Sequence, residues 1–571
     1  MGAIEVFVSQ RARKRKLALI AAGAVAVAVV LVAVVCLAVR IPRHGSHGRH
    51  EGNDALRSGE VVCRQTEYEA ECLAAMNATL PEGSDKLGDG SKALIRVLVY
   101  SLSVAKNLMN MTSLELTTLA NSNQTSDDPV YIAASECTVG LDEAVDRMDT
   151  AIDLVMEGKL FDALEELNMV ATLNTDCAES LYRLNDTSKL PGSINTAINL
   201  AMNLVNAMKL TDIATVTSSL TAFGPTNRRL AMRRLLAESQ GRIDYVVAKD
   251  GSGQFDTVQA ALNKVPLRPE REEGKPRGCR RVVIHVKAGR YVEKAAVNKN
   301  SCPVTLIGDG KTNTVISWND TIQTVRDGKP VGTWGSYTFW ARGDGFIGVK
   351  IGVENTAGID KFQAVALLAQ GRKIVFIDSG FSAFQDTLYA RAGSQYYTKC
   401  TIKGTVDMIF GNAAAVFDSC NVTVRPKNGQ TTVTAQGRTD ENQRTGFVFH
   451  SCRIDAERLL NGTSVTFLAT NQYMVVYLGR PWRPYARVVY IGCYLGTISP
   501  EGYLKWALTD DHKTAEYYEY KCYGPGANRS DRVGWSHTLS AKEAEEYTVE
   551  NFLESGGKNP WVESRVARWW G

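Results

Sequence analysis

Two kinds of catalytic signal are missing from this sequence. No G-x-S-x-G motif occurs in its 571 residues, which excludes a serine esterase of the α/β-hydrolase type. Between residues 61 and 220, no group of His or carboxylate residues has a catalytic spacing. That part of the chain is therefore predicted to be regulatory or structural. The net charge is also small, +4 in total. This total excludes few classes of protein, so the charge is considered segment by segment.

The charge is divided unevenly between two halves. Residues 40–237 contain 18 basic and 26 acidic residues, a net charge of −8, whereas residues 238–571 contain 42 basic and 34 acidic residues, a net charge of +8. A chain of this length is expected to form two folded units. The basic unit suits an anionic polymer, although scattered solvated charge explains it nearly as well. No nucleic-acid partner is predicted.

A long apolar run covers residues 17–39 and follows a basic segment at residues 1–16. The run is long enough to cross a bilayer, and the basic flank is expected to stay cytosolic. It has no clear small-x-small cleavage site. We predict a transmembrane signal anchor, then a stalk at residues 40–60 and lumenal domains beyond it. A long cleaved signal peptide is the alternative.

The cysteines and glycosylation sequons agree with a lumenal location. Eleven of the twelve cysteines follow the apolar run, and disulfides persist in oxidising compartments. Eight N-x-S/T sequons, the acceptors of N-glycosylation, also follow the run and predict a glycoprotein. They begin at Asn77, Asn110, Asn123, Asn185, Asn319, Asn421, Asn461 and Asn528.

Residues 61–220 have the periodicity of amphipathic helices. Four helical segments with short links predict an all-α antiparallel four-helix bundle. Cys63 with Cys72, and Cys137 with Cys177, are the simplest disulfide pairs, although four cysteines allow three connectivities. The segments are residues 93–108, 139–155, 160–184 and 194–208.

A loop-like linker at residues 221–240 follows the predicted bundle. It contains two dibasic pairs, Arg228-Arg229 and Arg233-Arg234. Such pairs are often only solvated charge. An exposed segment between folded units is readily cut, so we predict that this one is a processing site.

After residue 244 the sequence changes to short apolar runs separated by Gly and Asn, which predicts an all-β fold. Ser379, Cys400 and Cys420 occur in similar strand contexts at steps of 21 and 20 residues. A period near twenty is typical of a parallel β-helix, in which each coil stacks on the last. Equivalent residues on neighbouring coils are then about 4.8 Å apart. That separation lies within the usual range for a disulfide, so a Cys400–Cys420 bridge is predicted.

The remaining cysteines are harder to pair. Cys279 and Cys302 precede neighbouring strand runs and are one candidate pair. Cys452 and Cys493 are another, and Cys522 is then left without an assigned partner.

The same register places a column of polar residues on one face of the β-helix. Asp386 and Asp407 are 21 residues apart, and Gln363 and Gln385 are 22 apart. Ionising both of two carboxyl groups one coil apart costs free energy, because their charges repel. The pKa of one of the two aspartates is therefore expected to rise. Such a pair supplies one nucleophile and one general acid, and neighbouring amides donate to an oxyanion. A ladder of Asp residues that only satisfies coil turns is the alternative.

Six motifs in this half resemble plant-type pectin methylesterases, in the order found in that family. The resemblance covers about residues 241–560 and leaves a tail at residues 561–571. The upstream bundle resembles the inhibitor domain that precedes these enzymes, and RRLL (233–236) resembles their processing site. The motifs are GRYVE (289–293), QAVAL (363–367), QDTLY (385–389), GTVDMIFGN (404–412), AQGR (435–438) and LGRPW (478–482).

The resemblance implies a right-handed parallel β-helix that removes methyl esters from pectin without a metal or other cofactor. It implies Asp407 as the nucleophile and Asp386 as the acid and base, with Arg480 paired to Asp407. Gln385 and Gln363 would hold the oxyanion. The implied substrate contacts are Thr338, Phe339, Gln363, Phe410, Arg480, Trp482 and Tyr503.

The resemblance also implies partners and a location. A subtilisin-like protease would cut the linker of a Golgi membrane precursor, and the enzyme would then reach the cell wall. The bundle, or a separate inhibitor protein, would regulate it. At four positions the chain departs from the usual family pattern, which leaves subsite preference and pH optimum open: Arg391, Ser394, Thr398 and Tyr503.

Two other interpretations of the β-half were weighed. The motif set matches neither a pectate lyase nor a polygalacturonase. A catalytically inactive β-helix that binds pectin or regulates other pectinesterases is the rival from another class. The intact polar set at Asp386, Asp407 and Arg480 argues against it.

Overall fold

The structure is a computed structural model. It describes scattered helical positions between 99 and 118, residues 129–182 without 158, and residues 242–562 without 270–278, 327, 442, 458–466, 469–471, 508 and 555–560. The chain divides into two compact units between Gly224 and Pro225. The predicted anchor at residues 17–39, the stalk, the linker, Cys63 and Cys72 lie outside the described residues. Within those residues, no helix is long and apolar enough to span a membrane.

Among the described residues of the first unit are two long helices, α1 (Pro129–Met156) and α2 (Leu160–Tyr182). Apolar residues repeat at three- and four-residue spacing along both helices, so each buries one face against the other. The predicted Cys137–Cys177 disulfide is confirmed and joins α1 to α2. Because the helices are linked at one end and bridged near the other, they form an antiparallel hairpin.

A further helical segment packs against α1. The ammonium group of Lys106 lies 2.7 Å from a carboxylate oxygen of Asp149, and the Ser113 hydroxyl donates to Asp142 at 2.6 Å. These contacts run in opposite directions along the two segments, as in an antiparallel bundle. The segment predicted at residues 194–208 lies outside the described residues. The four-helix bundle as a whole therefore stays a prediction.

In the second unit the structure describes 29 short strands. In chain order they are β1 (Tyr245–Val247), β2 (Val282–Val286), β3 (Gly289–Val292), β4 (Ala295–Ala296), β5 (Val304–Gly308), β6 (Thr314–Trp318), β7 (Val325–Arg326), β8 (Lys329–Pro330), β9 (Phe339–Ala341), β10 (Ile347–Val349), β11 (Gly352–Asn355), β12 (Leu367–Gln370), β13 (Ile374–Ile377), β14 (Gly380–Ser382), β15 (Leu388–Ala392), β16 (Ser394–Thr398), β17 (Thr401–Gly404), β18 (Ile409–Gly411), β19 (Ala414–Asp418), β20 (Asn421–Val424), β21 (Gly429–Gln436), β22 (Gly446–His450), β23 (Arg453–Ala456), β24 (Phe467–Leu468), β25 (Gln472–Pro481), β26 (Arg487–Ile491), β27 (Tyr494–Leu495), β28 (Glu516–Tyr520) and β29 (Ser536–Thr538).

Four short helices accompany these strands. They are α3 (Val258–Leu262), α4 (Gly332–Gly335), α5 (Ala541–Glu545) and α6 (Val549–Phe552), with single 3₁₀ turns at Ile359–Lys361, Asp511–Lys513 and Pro525–Ala527.

Successive strands enter three different sheets in rotation. The first sheet has the order β1-β2-β5-β10-β13-β16-β19-β22-β26-β28-β29. The second has the order β3-β6-β11-β14-β17-β20-β23-β27, and the third β4-β9-β12-β15-β18-β21-β25-β24. All pairs are parallel except β24–β25 and the separate hairpin β7–β8. Each coil therefore contributes one strand to each sheet, which is the predicted parallel β-helix. Its handedness stays a prediction.

Aromatic rings stack inside the coils behind the first sheet. Tyr397 lies 5.6 Å from Phe376 and 4.8 Å from Phe417, measured between ring centroids. Phe417 then stacks on Phe449, and Phe449 on Tyr490, both at 4.7 Å. In-register parallel pairing places equivalent side chains one above another, so a single aromatic position in the repeat becomes a continuous column that holds the coils together.

A sharp corner joins the first sheet to the second in each coil. Lys399, with a φ of 55°, lies in the left-handed region, and the next residue, Cys400, turns into the core. The register pairs Thr401 with Asn421, so Cys400 stacks on Cys420. By the same rule the column continues through Cys452, Cys493 and Cys522.

Two of the predicted disulfides, Cys400–Cys420 and Cys452–Cys493, are not formed. Cys400, Cys420, Cys452, Cys493 and Cys522 are all free thiols, whereas Cys279 and Cys302 are bridged. Residues stacked in register point their Cα–Cβ bonds in the same direction and stay about 4.8 Å apart. A disulfide needs Cβ atoms about 3.8 Å apart, with the two sulfurs turned toward each other. The separation of the Cα atoms alone therefore does not predict whether two stacked cysteines form a disulfide.

Helices cover the outer face of the first sheet and one end of the stack. Val258, Ala261 and Leu262 of α3 are buried in the core at the first coils. Tyr547, Phe552 and Trp561 pack on outward-facing residues of the first sheet. Trp561 and Val562, the last residues that the structure describes, are thus buried with the second unit.

We expect non-reducing peptide mapping of the full chain to find the Cys279–Cys302 link and unbridged Cys400 and Cys420. Both thiols are buried, so an alkylating agent should modify them only after denaturation. The control is Cys522, which is partly exposed and should react sooner. Recovery of a linked Cys400–Cys420 peptide would contradict the stacked arrangement.

Candidate active site

Two aspartates lie just before adjacent strands of the third sheet, β15 and β18. Leu388 pairs with Ile409, and Asp386 and Asp407 each lie two residues before these strand residues. The backbone φ angles are 64° at Asp386 and 50° at Asp407, in the left-handed region that Asp tolerates better than most residues. Both carboxylates therefore lie at the same edge of the sheet, one coil apart.

Asp407 is held from two directions. The Arg480 guanidinium donates through Nε to Oδ1 at 2.9 Å and through Nη2 to Oδ2 at 2.6 Å. The Thr432 hydroxyl donates to Oδ1 at 2.7 Å and accepts the Asp407 backbone N–H at 2.8 Å. A planar guanidinium that binds both oxygens fixes the orientation of the Asp407 side chain.

Asp386 has the opposite environment. Its carboxyl is buried, and burial raises its pKa well above the ordinary range. The neighbouring charge of Asp407 raises the pKa further, whereas Arg480 and a hydrogen bond with Gln385 oppose the shift. The two aspartates thus have different surroundings, and the raised pKa of Asp386 suits it to act as the acid.

Two glutamines lie beside the aspartates. Gln363 and Gln385 face each other in a parallel bridge one coil apart, and both are partly exposed. Their side-chain amides are donors next to the Asp386–Asp407 pair. A charged carboxylate, a protonated carboxyl and two amides are the groups needed to attack a carbonyl carbon, protonate a leaving group and hold an oxyanion.

Aromatic rings line the outer face of the third sheet near the aspartates. Phe410 stacks on Tyr389 at 4.2 Å and lies 6.2 Å from Trp482. The Arg480 guanidinium lies 4.2 Å from the ring centroid of Trp506. Trp482 packs closely on Gly437, where a Cβ would lie 2.9 Å from the indole ring. Such a row of rings is suited to the faces of sugars.

Three predicted substrate contacts are not at this surface. Thr338 has no exposed surface, and its hydroxyl donates to the Glu354 carbonyl at 3.0 Å. Phe339 is 1% exposed and points into the coil, because it alternates with the outward-facing Trp340. Tyr503 is also 1% exposed. These three side chains form part of the core, so their predicted contact with substrate is wrong for this structure.

Thr432 and Trp506 are site residues that the sequence reasoning missed. Thr432 follows Asp407 by 25 residues, and the longer turn before β21 hid its place one coil above. Trp506 lies three residues after Tyr503, and the sequence motif led us to predict Tyr503 as the substrate contact instead. Within the described residues, no group of three or more His, Cys, Asp or Glu side chains is arranged to hold a metal ion.

Comparisons with known proteins agree with this geometry. Residues 244–556 match the family model described as Pectinesterase. The chain is 33% identical over 526 residues to "Pectinesterase 3" of Phaseolus vulgaris, covering 87% of this chain and 84% of that protein. It is 31% identical over 527 residues to "Putative pectinesterase/pectinesterase inhibitor 24" of Arabidopsis thaliana, covering 89% and 87%. Among solved structures, "Pectin methylesterase from Carrot" aligns with a TM-score of 0.51 at 37% identity, covering 57% of this chain and 97% of that one.

Asp386→Asn should raise the free energy of unfolding at neutral pH. A carboxyl whose folded pKa is raised binds its proton more tightly when folded, so stability falls as pH rises from the ordinary pKa of 3.8 through the raised value. Asn cannot ionise, so the variant should lack this loss and gain about 1–3 kcal/mol over wild type at pH 7. Denaturant unfolding at pH 4 and pH 7 measures the difference.

The matched control is Asp378→Asn, which changes an aspartate that also has a positive φ, 46°, but is paired with Lys311 at the surface. It should show no such gain at pH 7. Equal or lower stability of Asp386→Asn at pH 7 would contradict a raised pKa at Asp386.

Proposed function

Since this chain belongs to the pectinesterase family, we propose that it hydrolyses the C6 methyl esters of homogalacturonan through the Asp386–Asp407 pair. The products are methanol and de-esterified pectin. The observation that carries this proposal is the two-oxygen clamp of Arg480 on Asp407, one coil from an aspartate whose pKa is raised. A pair that only satisfied coil turns would not need an arginine bound to both oxygens of one member.

In the first step, Asp407 attacks the ester carbonyl carbon. Arg480 and Thr432 keep its carboxylate charged and oriented. Negative charge develops on the carbonyl oxygen, and the amides of Gln363 and Gln385 donate to it. The C–O bond to the methoxy group then breaks, and Asp386 gives its proton to the departing oxygen. Methanol leaves, and an anhydride joins Asp407 to the sugar carboxyl.

In the second step, the anhydride is hydrolysed. Asp386, now a carboxylate, accepts a proton from a water molecule as that water attacks the sugar carbonyl carbon. The bond to Asp407 breaks, so Asp407 regains its carboxylate and Asp386 its proton. The same two groups therefore return to their starting states, and the galacturonic acid that is formed becomes a carboxylate by losing its proton to solvent.

Asp407→Asn should abolish methanol release while leaving the β-helix folded. The amide preserves the shape of the side chain but is a very weak nucleophile, and loss of a nucleophile typically lowers kcat by about 10³-fold or more. Methanol is measured directly with highly methylated pectin, and circular dichroism reports the fold.

Asp378→Asn again serves as the control, because it makes the same substitution at a left-handed turn position away from the site. Its rate should match that of the wild type. Methanol release by Asp407→Asn within tenfold of wild type would reject Asp407 as the nucleophile. Release by neither the wild type nor the variants would favour the rival function, a pectin-binding protein without activity.

The proposal extends to the first unit and the linker. Residues 61–220 would keep the enzyme silent in the secretory pathway, and cleavage at Arg228-Arg229 or Arg233-Arg234 by a subtilisin-like protease would release it. The opposite net charges of the two halves, −8 and +8, favour docking between them. A tether raises the effective concentration to about the millimolar range, so even a weak complex stays closed until it is cut.

The location follows from the same proposal. The apolar run at residues 17–39 would anchor the precursor in the Golgi membrane, glycosylation would occur at its sequons, and the released enzyme would act in the cell wall. The first unit acting only as a folding aid or a retention signal is the alternative to inhibition.

The uncut fragment 40–571, with all four linker arginines replaced, should release methanol more slowly than fragment 241–571. Equal concentrations are compared at several salt levels. Salt screens charges beyond about 8–10 Å, so inhibition should weaken as salt rises. Equal activity at low salt would reject autoinhibition, whereas inhibition that salt leaves unchanged would reject only its electrostatic cause.

A further inference from the structure

The AQGR motif (435–438) lies at the end of β21 and supplies no group to the proposed reaction. Its arginine, Arg438, has no exposed surface. Burying a charged group costs a large free energy unless it is paired and hydrogen-bonded. The partners of Arg438 therefore indicate what the motif holds together.

The Arg438 guanidinium joins the turn after β21 to the first sheet. Nε donates to the Asp440 carbonyl at 3.0 Å, and Nη2 donates to the Glu441 carbonyl. Nη1 lies 2.9 Å from Oε1 of Glu516, which begins β28. The other oxygen of Glu516 accepts a hydrogen bond from Arg487 at the start of β26. One buried side chain thus fixes both the shape of the turn and its place against two neighbouring strands.

The same turn holds the segment that follows β25. The backbone N–H of Trp482 donates to the Gln436 carbonyl at 3.0 Å, and the N–H of Tyr485 donates to the Arg438 carbonyl at 3.1 Å. The Trp482 indole packs on Gly437, where a Cβ would lie 2.9 Å from the ring. A shift of residues 436–438 would therefore move Trp482 as well.

Trp482 depends on this support because it lies just beyond the end of its strand. β25 ends at Pro481, and a residue in a connecting turn lacks the ladder of hydrogen bonds that fixes a strand. Trp482 is partly exposed, with its ring 6.2 Å from that of Phe410. The catalytic carboxylate has its own support, since Asp407 is held by Arg480 and Thr432.

We propose that Arg438 is a positioning residue that fixes Trp482 beside Phe410 and thereby sets the affinity of the site for pectin. This inference rests on the proposed function, in which Trp482 contacts a sugar ring. Arg438 has no exposed surface, so it acts through the turn that it holds and not by touching the polymer. Its loss should weaken binding more than it slows the chemical step.

The first test separates KM from kcat in variants of the full chain. Arg438→Gln should raise KM for highly methylated pectin about fivefold and leave kcat within about twofold of wild type, as expected when binding alone is lost. Arg438→Lys should give an intermediate KM, because it keeps a charge beside Glu516 without the fork that reaches both carbonyls.

A double-mutant cycle then tests whether Arg438 acts through Trp482. Trp482→Ala alone should raise KM about tenfold. In that background Arg438→Gln should raise KM by no more than about twofold, because the residue that it positions is already gone. The same cycle is measured by calorimetric binding of a methylated galacturonan oligomer, which needs no turnover.

Arg532→Gln is the matched control for the loss of a buried arginine. The Arg532 side chain is 3% exposed, and like Arg438 it binds one glutamate and backbone carbonyls, with Nε 3.0 Å from Glu519 and Nη1 2.9 Å from the Pro500 carbonyl. Arg532→Gln should lower the free energy of unfolding, as Arg438→Gln does, but leave KM within about twofold of wild type.

An unchanged KM in folded Arg438→Gln would overturn the proposal, and so would equal effects of Arg438→Gln with and without Trp482. If Arg438→Gln does not fold, Arg438→Lys is taken through the same cycle with the same criteria. If neither variant folds, Arg438 is structural and the proposal is rejected. Absence of methanol release by the wild type would reject the proposed function, whereas the binding cycle would still decide the role of Arg438.

Discussion

Burial of two carboxylates next to each other is the constraint on which the site depends, and the repulsion between them adds to it. In-register stacking places Asp386 and Asp407 one coil apart, and burial removes most of the water that would screen them. Arg480 can bind both oxygens of only one of them, and it binds Asp407. Asp386 is then left with a raised pKa. The proposed division into nucleophile and acid thus follows from which carboxylate receives the guanidinium. Thr432 also holds Asp407 in place, because its hydroxyl donates to the carboxylate and accepts the backbone N–H.

The repeat period predicted much of this arrangement, because a parallel β-helix converts sequence spacing directly into neighbours in space. Steps of 20–22 residues aligned Asp386 with Asp407 and Gln363 with Gln385. The same logic failed where the turns between strands are longer, as before β21, which hid Thr432. It also failed for the direction of side chains. Phe339 and Trp340 are adjacent, and only the pleat decides that Trp340 faces outward. Cys400 and Cys420 are neighbours as expected, but their parallel Cβ directions leave them as thiols.

The third sheet combines two kinds of functional group along one outer surface. The aspartates and glutamines lie where its strands begin, and the aromatic row crosses its middle. A methyl-esterified polysaccharide offers neutral esters and apolar sugar faces, which are the partners that these surfaces suit. The first unit carries the opposite net charge, and the proposed inhibition would depend on the same basic half.

The protonation state of Asp386 is the most direct test of the account. Carboxyl signals of aspartate can be followed by NMR across a pH titration of ¹³C-labelled enzyme, with Asp386→Asn used to assign the signal. The account predicts that Asp386 stays protonated well above the ordinary aspartate pKa of 3.8. It also predicts that Arg480→Gln raises the pKa of Asp386 further, because the nearby guanidinium charge opposes the shift in the wild type. Titration of Asp386 near 3.8 in the wild type would contradict the assignment of this residue as the acid.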